Sequence, residues 1–388
     1  MSNNYKDNMP ISAKKFMEEF RRYQKGSVSR RHFMGVTGLG TAMAVMGAAV
    51  PSLMPKTTHA AGNLSDRMVL ATWPNYHNPK TLENFTALTG VNIQANVFGS
   101  NEEMLAKMQA GAGGVDVMEN TNYTFTTYVE LGLLTVLDLS RIPNYDASTQ
   151  NPKFAEASTV NGKVYGVCKN WGTTGFVVNS NNVKSDPKSH KDFFDVTMGA
   201  GSGHTILHDY QLTTIGAALC ALGYSFNSID PGELAKAEKL LIDSKPHLFA
   251  ITSDYQPGLR SGDAWMSLCW VGDGKQLNTD MPEMKYVVAS DGGELWSDFY
   301  SIPADAPSPD TSYAFINYMM DPENQVLDAE AHGYPTSDSR VSAMQPESVR
   351  TDPILYPAKE LFDGLEFGAA HTLTDPIRAE VMARFKAA

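Results

Sequence analysis

The sequence predicts an α/β protein, and three observations carry that expectation. Residues 67–118 alternate strand, helix, strand, helix and strand. A second block with the same alternation continues to about residue 297. The 388 residues, 42% of them hydrophobic, can bury the cores of about two domains. Such alternation is the pattern of a mainly parallel sheet covered by helices.

The elements follow in order. Arg67 to Trp73 reads as a short buried strand, and Pro74-Asn75-Tyr76 turns the chain out of it. Asn78-Pro79 starts a helix through Leu88, with Gly90 as its stop. A strand spans Val91 to Phe98. Ser100-Asn101-Glu102-Glu103 matches a capping box ahead of the next helix. Gly111 to Gly114 break that helix before the strand Val115-Asp116-Val117-Met118. Thr121-Asn122-Tyr123 follows, with a helix running to Leu134. Asn161-Gly162 predicts a hairpin. Trp171-Gly172-Thr173-Thr174-Gly175-Phe176, small residues around one indole, suits a hinge crossing. The second block offers helices at 212–222 and 232–242 and a strand at Met266 to Trp270. A strand-like run from Glu294 to Pro303 comes next, then helices at Ser312 to Met320 and Val326 to Ala331.

The N-terminal segment reads as an export signal. Ser29-Arg30-Arg31-His32-Phe33 precedes an apolar, Gly/Ala-rich run from Val36 to Met54, and Thr58-His59-Ala60 suits a cleavage point. The Arg30-Arg31 pair with Phe33 resembles a twin-arginine (Tat) signal, so residues 1–61 are assigned to it. Formal net charge is −12. The first 60 residues hold nine Lys/Arg and three Asp/Glu, leaving 22 against 40, a net of −18. An acidic mature chain argues against nucleic acid and anionic membrane surfaces as partners. Cys168, Cys220 and Cys269 form no CxxC pair.

Catalytic and cofactor motifs are missing. No Gly-x-Ser-x-Gly elbow, phosphate loop or His-Glu-x-x-His occurs. His204 and His208 have helical metal spacing, but Gly201-Ser202-Gly203 and β-branched Thr205-Ile206 favour a strand there. What recurs is an aromatic with an acid or hydroxyl at strand ends: Trp73/Tyr76, Thr121/Tyr123, Trp270/Asp273 and Trp296/Asp298. Ligands of open α/β sheets bind beyond such ends. Trp296 and Asp298 share one face of their strand. Flat rings can sandwich a methylene chain while carboxylates take ammonium ends.

With these residues in place, the sequence resembles the periplasmic spermidine/putrescine-binding proteins of ABC importers over nearly all of residues 66–386. The carriers are Thr72-Trp73-Pro74-Asn75-Tyr76, Ser100 to Lys107, Tyr165-Gly166-Val167, Trp171 to Gly175, Trp270-Val271-Gly272-Asp273, Trp296-Ser297-Asp298 and Gly333-Tyr334-Pro335-Thr336. The resemblance implies a type II periplasmic binding protein fold with a central ligand cleft. Its lobe 1 would comprise residues 62–174 and 298–341, and lobe 2 residues 175–297 and 342–388. It implies an aromatic box of Trp73, Tyr76, Tyr123, Trp270, Trp296 and Tyr334, with Thr121 where the family has serine. Asp209, Asp273 and Asp298 would receive amines. The expected ligand is a polyamine or similar amine, the partners an ABC permease and the Tat machinery, and the location the periplasm, with no cofactor or metal. The alternatives are another small ligand, such as a zwitterion, in the same cleft, or a Tat-exported enzyme. Leu212 stands where spermidine binders place glutamate, and Phe367 falls near a family glutamine. Pro74 removes a hydroxyl that the putrescine type can use. Lys169 and Asn170 precede Trp171, and a lysine at the cleft mouth would repel a polycation.

Overall fold

Two long central strands hold this protein together. In a computed structural model that describes residues 64–111 and 113–388, β6 spans Gly166–Asn179 and β11 spans Gly293–Ser301. Arg30 and Arg31 lie outside the described residues. The other strands are β1 (Arg67–Thr72), β2 (Asn92–Val97), β3 (Val117–Thr121), β4 (Thr159–Val160), β5 (Lys163–Val164), β7 (Thr205–Leu207), β8 (Leu248–Ile251), β9 (Met266–Trp270), β10 (Met284–Val287) and β12 (Leu365–Phe367). One sheet runs β2-β1-β3-β11-β6-β9-β7-β8, with β10 also on β6 and β12 on β11.

The α/β class is as expected, but the sheet is mixed rather than mainly parallel. β1 pairs parallel with β2 and β3, and β7 with β8 and β9. Between these parallel sets, β11 lies antiparallel to both β3 and β6, and β6 antiparallel to β9 and β10. Strand direction is not encoded in apolar runs: a strand buried on both faces reads the same either way.

Local signals explain the surrounding elements. Helix α1 (Pro79–Thr89) is capped by the Asn78 side chain and ended by Gly90 at φ 80°. In α2 (Asn101–Gln109) the Ser100 hydroxyl accepts from the Glu103 N–H, while the Glu103 carboxylate accepts from Gly99 rather than Ser100. Asn161 and Gly162 at φ 51° and 72° make the hairpin turn between β4 and β5. β3 ends at Thr121, later than the sequence suggested, and the following helix stops at Glu130, where Gly132 takes φ 68°. Later helices include α3 (Gln211–Ala221), α4 (Val271–Asp280), α5 (Pro309–Met319) and α6 (Pro322–His332).

Trp171 to Phe176 lies wholly within β6, every residue of which is buried. Its glycines serve close approach. A Cβ at Gly172 would stand 2.5 Å from Cζ2 of Trp296, and one at Gly175 2.1 Å from the Val287 carbonyl oxygen. One apolar core joins β1, α1 and α5 through Leu70, Phe85 and Ile316. Another joins β6, β9 and α3 through Phe176, Leu268 and Ile215. A third cluster, rich in tryptophan and tyrosine, surrounds the site.

Candidate functional site

The site is assembled from strand ends and one strand face. Trp73 follows the last residue of β1, Thr121 closes β3 and Trp270 closes β9. Tyr76 sits on the turn after β1, where Asn75 adopts φ 53°. Tyr210 immediately precedes α3. Tyr334 follows Gly333, the left-handed cap of α6. From β11 come Glu294, Trp296 and Asp298, every second residue and therefore one face. Trp296 is paired with Gly172, whose missing side chain leaves room for the indole.

These residues and Pro74 line a cavity. Six of the ten lining residues are aromatic, two are carboxylates and none is basic. The rings pack edge to face: Trp73 and Trp270 at 6.1 Å, Tyr76 and Tyr334 at 5.5 Å, Trp296 and Tyr334 at 5.1 Å between centroids.

Both carboxylates are buried without a cation beside them in the lining. Asp298 is 4% exposed and Glu294 2% exposed. Desolvation pushes the Asp298 carboxyl up to about 6, against the stabilising hydrogen bond from Tyr76. The Tyr76 hydroxyl lies 2.6 Å from both Asp298 Oδ2 and Asn170 Oδ1, with one proton to give. Asn170 Nδ2 has no partner. Turning that amide lets Asn170 donate to Tyr76 while Tyr76 donates to Asp298, so that one hydroxyl proton no longer faces two acceptors. Asp298 Oδ1 stays unpartnered. Desolvation likewise pushes Glu294 up to about 7, although Thr174 and Thr213 donate to its Oε2 at 2.6 and 3.1 Å.

Seven of the ten residues expected to contact ligand line this cavity: Trp73, Tyr76, Thr121, Trp270, Trp296, Asp298 and Tyr334. Three lie outside the lining. The Tyr123 hydroxyl bonds to that of Tyr210, which faces the cavity in its stead, and Asn101 donates to both. Asp209 accepts from the Ser253 hydroxyl. Asp273 accepts from Tyr255 at 2.7 Å. Burial raises its pKa as well. Sequence reasoning missed Tyr210 and Glu294. Tyr210 stands just beyond the end of β7, the same kind of position that singled out Trp73. Glu294 shares the face of Trp296 and Asp298 by simple alternation.

Lys169 is not at a cleft mouth. It is buried behind Tyr76, its Nζ 2.6 Å from Asp328 Oδ2 and 3.0 Å from the Tyr76 carbonyl oxygen. The ammonium stands 4.5 Å from the centre of the Tyr76 ring. His77 bonds Glu119 at 2.6 Å and approaches Asp328 at 3.3 Å. Burial opposes ionisation of Asp328, yet Lys169 and His77 hold its pKa well below the usual carboxylate range. The network fixes Tyr76 from behind and spends the lysine's charge on Asp328. His204 stacks on Trp265 at 3.7 Å and bonds the Asp263 carbonyl, while buried His208 bonds that of Leu268, so no metal pair forms.

Comparison with known proteins places the chain in a family. The family model described as bacterial extracellular solute-binding protein matches residues 80–357. A putrescine-binding periplasmic protein of Pseudomonas aeruginosa is 28% identical over 309 residues, 76% of this chain and 84% of that protein. The spermidine/putrescine-binding periplasmic protein of Escherichia coli is 27% identical over 335 residues, 85% of this chain and 94% of its own. Among solved structures, a putative spermidine/putrescine ABC transporter from Listeria monocytogenes superposes with a TM-score of 0.76 at 26% identity, covering 83% of this chain and 99% of its own. A spermidine/putrescine ABC transporter substrate-binding protein from Streptococcus pneumoniae gives 0.66 at 28% identity, with the same coverages of 83% and 99%. The fold is thus the type II fold of periplasmic substrate-binding proteins, and the chain belongs to the bacterial extracellular solute-binding proteins.

Proposed function

We propose that this protein captures a polyamine-like organic cation in the periplasm and delivers it to an ABC permease. The observation that carries the reading is the cavity itself: six aromatic rings around two desolvated carboxylates, with no basic residue in the lining. An ammonium group supplies the charge those carboxylates lack, and the ring faces attract it further. A zwitterion's carboxylate would find no cationic partner there. Rings and carboxylates suit holding a cation, and the family model that matches residues 80–357 is one of solute-binding proteins. The names of the relatives, which bind putrescine and spermidine, support the same ligand class. The contacts are Trp73, Tyr76, Thr121, Trp270, Trp296, Asp298 and Tyr334. The segments 62–174 with 298–341, and 175–297 with 342–388, act as two lobes that close on the ligand, and Arg30-Arg31 directs Tat export. A thermal-shift panel of diamines, polyamines, amino acids and betaines tests the function. Stabilisation by amines alone is expected. Stabilisation by amino acids or betaines in their place refutes it.

A further inference from the structure

We infer that Glu294 is the second ammonium acceptor of the cavity, so that a linear diamine is held at one end by Asp298 and at the other by Glu294, its methylenes crossing Trp296. The inference rests on the cation reading above and adds to it a residue and a ligand length. Glu294 is 2% exposed and lines the cavity. Both threonines that contact it donate to Oε2, and Oε1 takes no hydrogen bond among the described residues. A buried carboxylate with a free oxygen facing a cavity is a poor structural element and a good receptor for a cation. Asp273 and Asp209, the other carboxylates considered for this role, lie outside the lining, bonded to Tyr255 and Ser253.

The strand fixes the spacing. Glu294 and Asp298 are four residues apart on one face of β11, with Trp296 midway. A rise of about 3.3 Å per residue separates their Cα atoms by about 13 Å. With both side chains standing roughly perpendicular to the strand, the carboxylates keep about that separation, and subtracting about 2.8 Å for a charge-assisted hydrogen bond at each end leaves about 7–8 Å between ammonium nitrogens. That span suits an unbranched diamine of about five methylenes, about six bonds at roughly 1.25 Å each along an extended chain. Burial pushes the Glu294 pKa up to about 7, so the carboxyl is about half protonated near neutral pH and an arriving ammonium also displaces that proton.

The test uses the wild type, Glu294→Gln and Glu294→Asp, titrated calorimetrically with 1,4-diaminobutane, 1,5-diaminopentane and n-butylamine. Glutamine keeps the size and an acceptor for Thr174 and Thr213 while removing the charge. Diamine affinity is expected to fall by about 30-fold or more, the scale of leaving a desolvated charge unpaired, with n-butylamine changed by less than about threefold. Repeating the titration in buffers of different ionisation enthalpy should show that the wild type releases protons the glutamine variant does not. Glu294→Asp, with a shorter reach, should shift preference towards the longer diamine. Equal diamine affinity in wild type and Glu294→Gln, or equal losses for diamine and monoamine, overturns the inference while leaving the cation reading intact. A wild type that binds no amine at all overturns that reading as well.

Discussion

Asp298→Asn isolates the charge at the centre of the site. The side chain is 4% exposed, Tyr76 donates to one oxygen and the other has no partner. Asparagine preserves the shape and can still accept from Tyr76. Losing one partner of a desolvated charge pair costs about 2–5 kcal/mol, or roughly 30- to several-thousand-fold in amine affinity. The pH dependence gives an independent signature. Burial raises the Asp298 pKa from 3.8 to about 6. A shift of about two units corresponds to about 3 kcal/mol. The sign follows from the raised folded-state value: this stability is fully present below the unfolded pKa and is lost as pH climbs through the folded one. The empty wild type should therefore lose stability relative to Asp298→Asn between about pH 4 and about pH 7. Ligand binding runs the other way. Its wild-type affinity should rise by about tenfold more than the variant's from about pH 5 to about pH 7.5, as the carboxyl ionises. Calorimetry at several pH values, with folding checked by circular dichroism, reads both. Equal affinity for the best amine, with parallel pH profiles, would sink the reasoning.

Four further outcomes follow. Gly172→Ala places a Cβ 2.5 Å from the Trp296 ring; overpacking should cost about 1–3 kcal/mol in urea unfolding and weaken amine binding, and unchanged values for both refute the packing argument. Lys169→Met leaves Asp328 buried with His77, the Asn78 N–H and, at 3.8 Å, His332, so unfolding free energy should drop by about 3 kcal/mol, and a neutral effect contradicts the buried pair. Replacing Arg30 and Arg31 by lysine should leave precursor in the cytoplasm on fractionation, and normal periplasmic accumulation defeats the Tat assignment. Small-angle scattering should give a smaller radius of gyration with ligand than without, since closure requires contacts made only in the closed state; an unchanged radius at saturation counts against two moving lobes.

Much of this was legible because the local signals are strong. Asn78-Pro79 and Gly90 bracket α1, Asn161-Gly162 makes a turn that needs positive φ, and the alternation at 294–298 sets one face of β11. The misplaced features depended on distant partners. Sheet direction at β6 and β11 depends on which strands they meet, not on their own composition. The glycines at 172 and 175 resemble a flexible crossing until Trp296 and Val287 are seen against them. Asp209 and Asp273 carry the expected chemistry at strand ends, and Ser253 and Tyr255 bond them outside the lining. Lys169 looked exposed because its partner, Asp328, lies far along the chain on α6.

The central claim is that an organic cation sits between the rings and against the carboxylates of β11. A crystal structure of the wild type grown with 1,4-diaminobutane tests it most directly. The account predicts one ligand nitrogen within about 3 Å of the Asp298 carboxylate, at charge-assisted hydrogen-bond distance, and a carbon chain lying on the Trp296 face. A diamine bound outside this cavity, or one inside it with Asp298 still bonded only to its protein neighbours, would contradict the account.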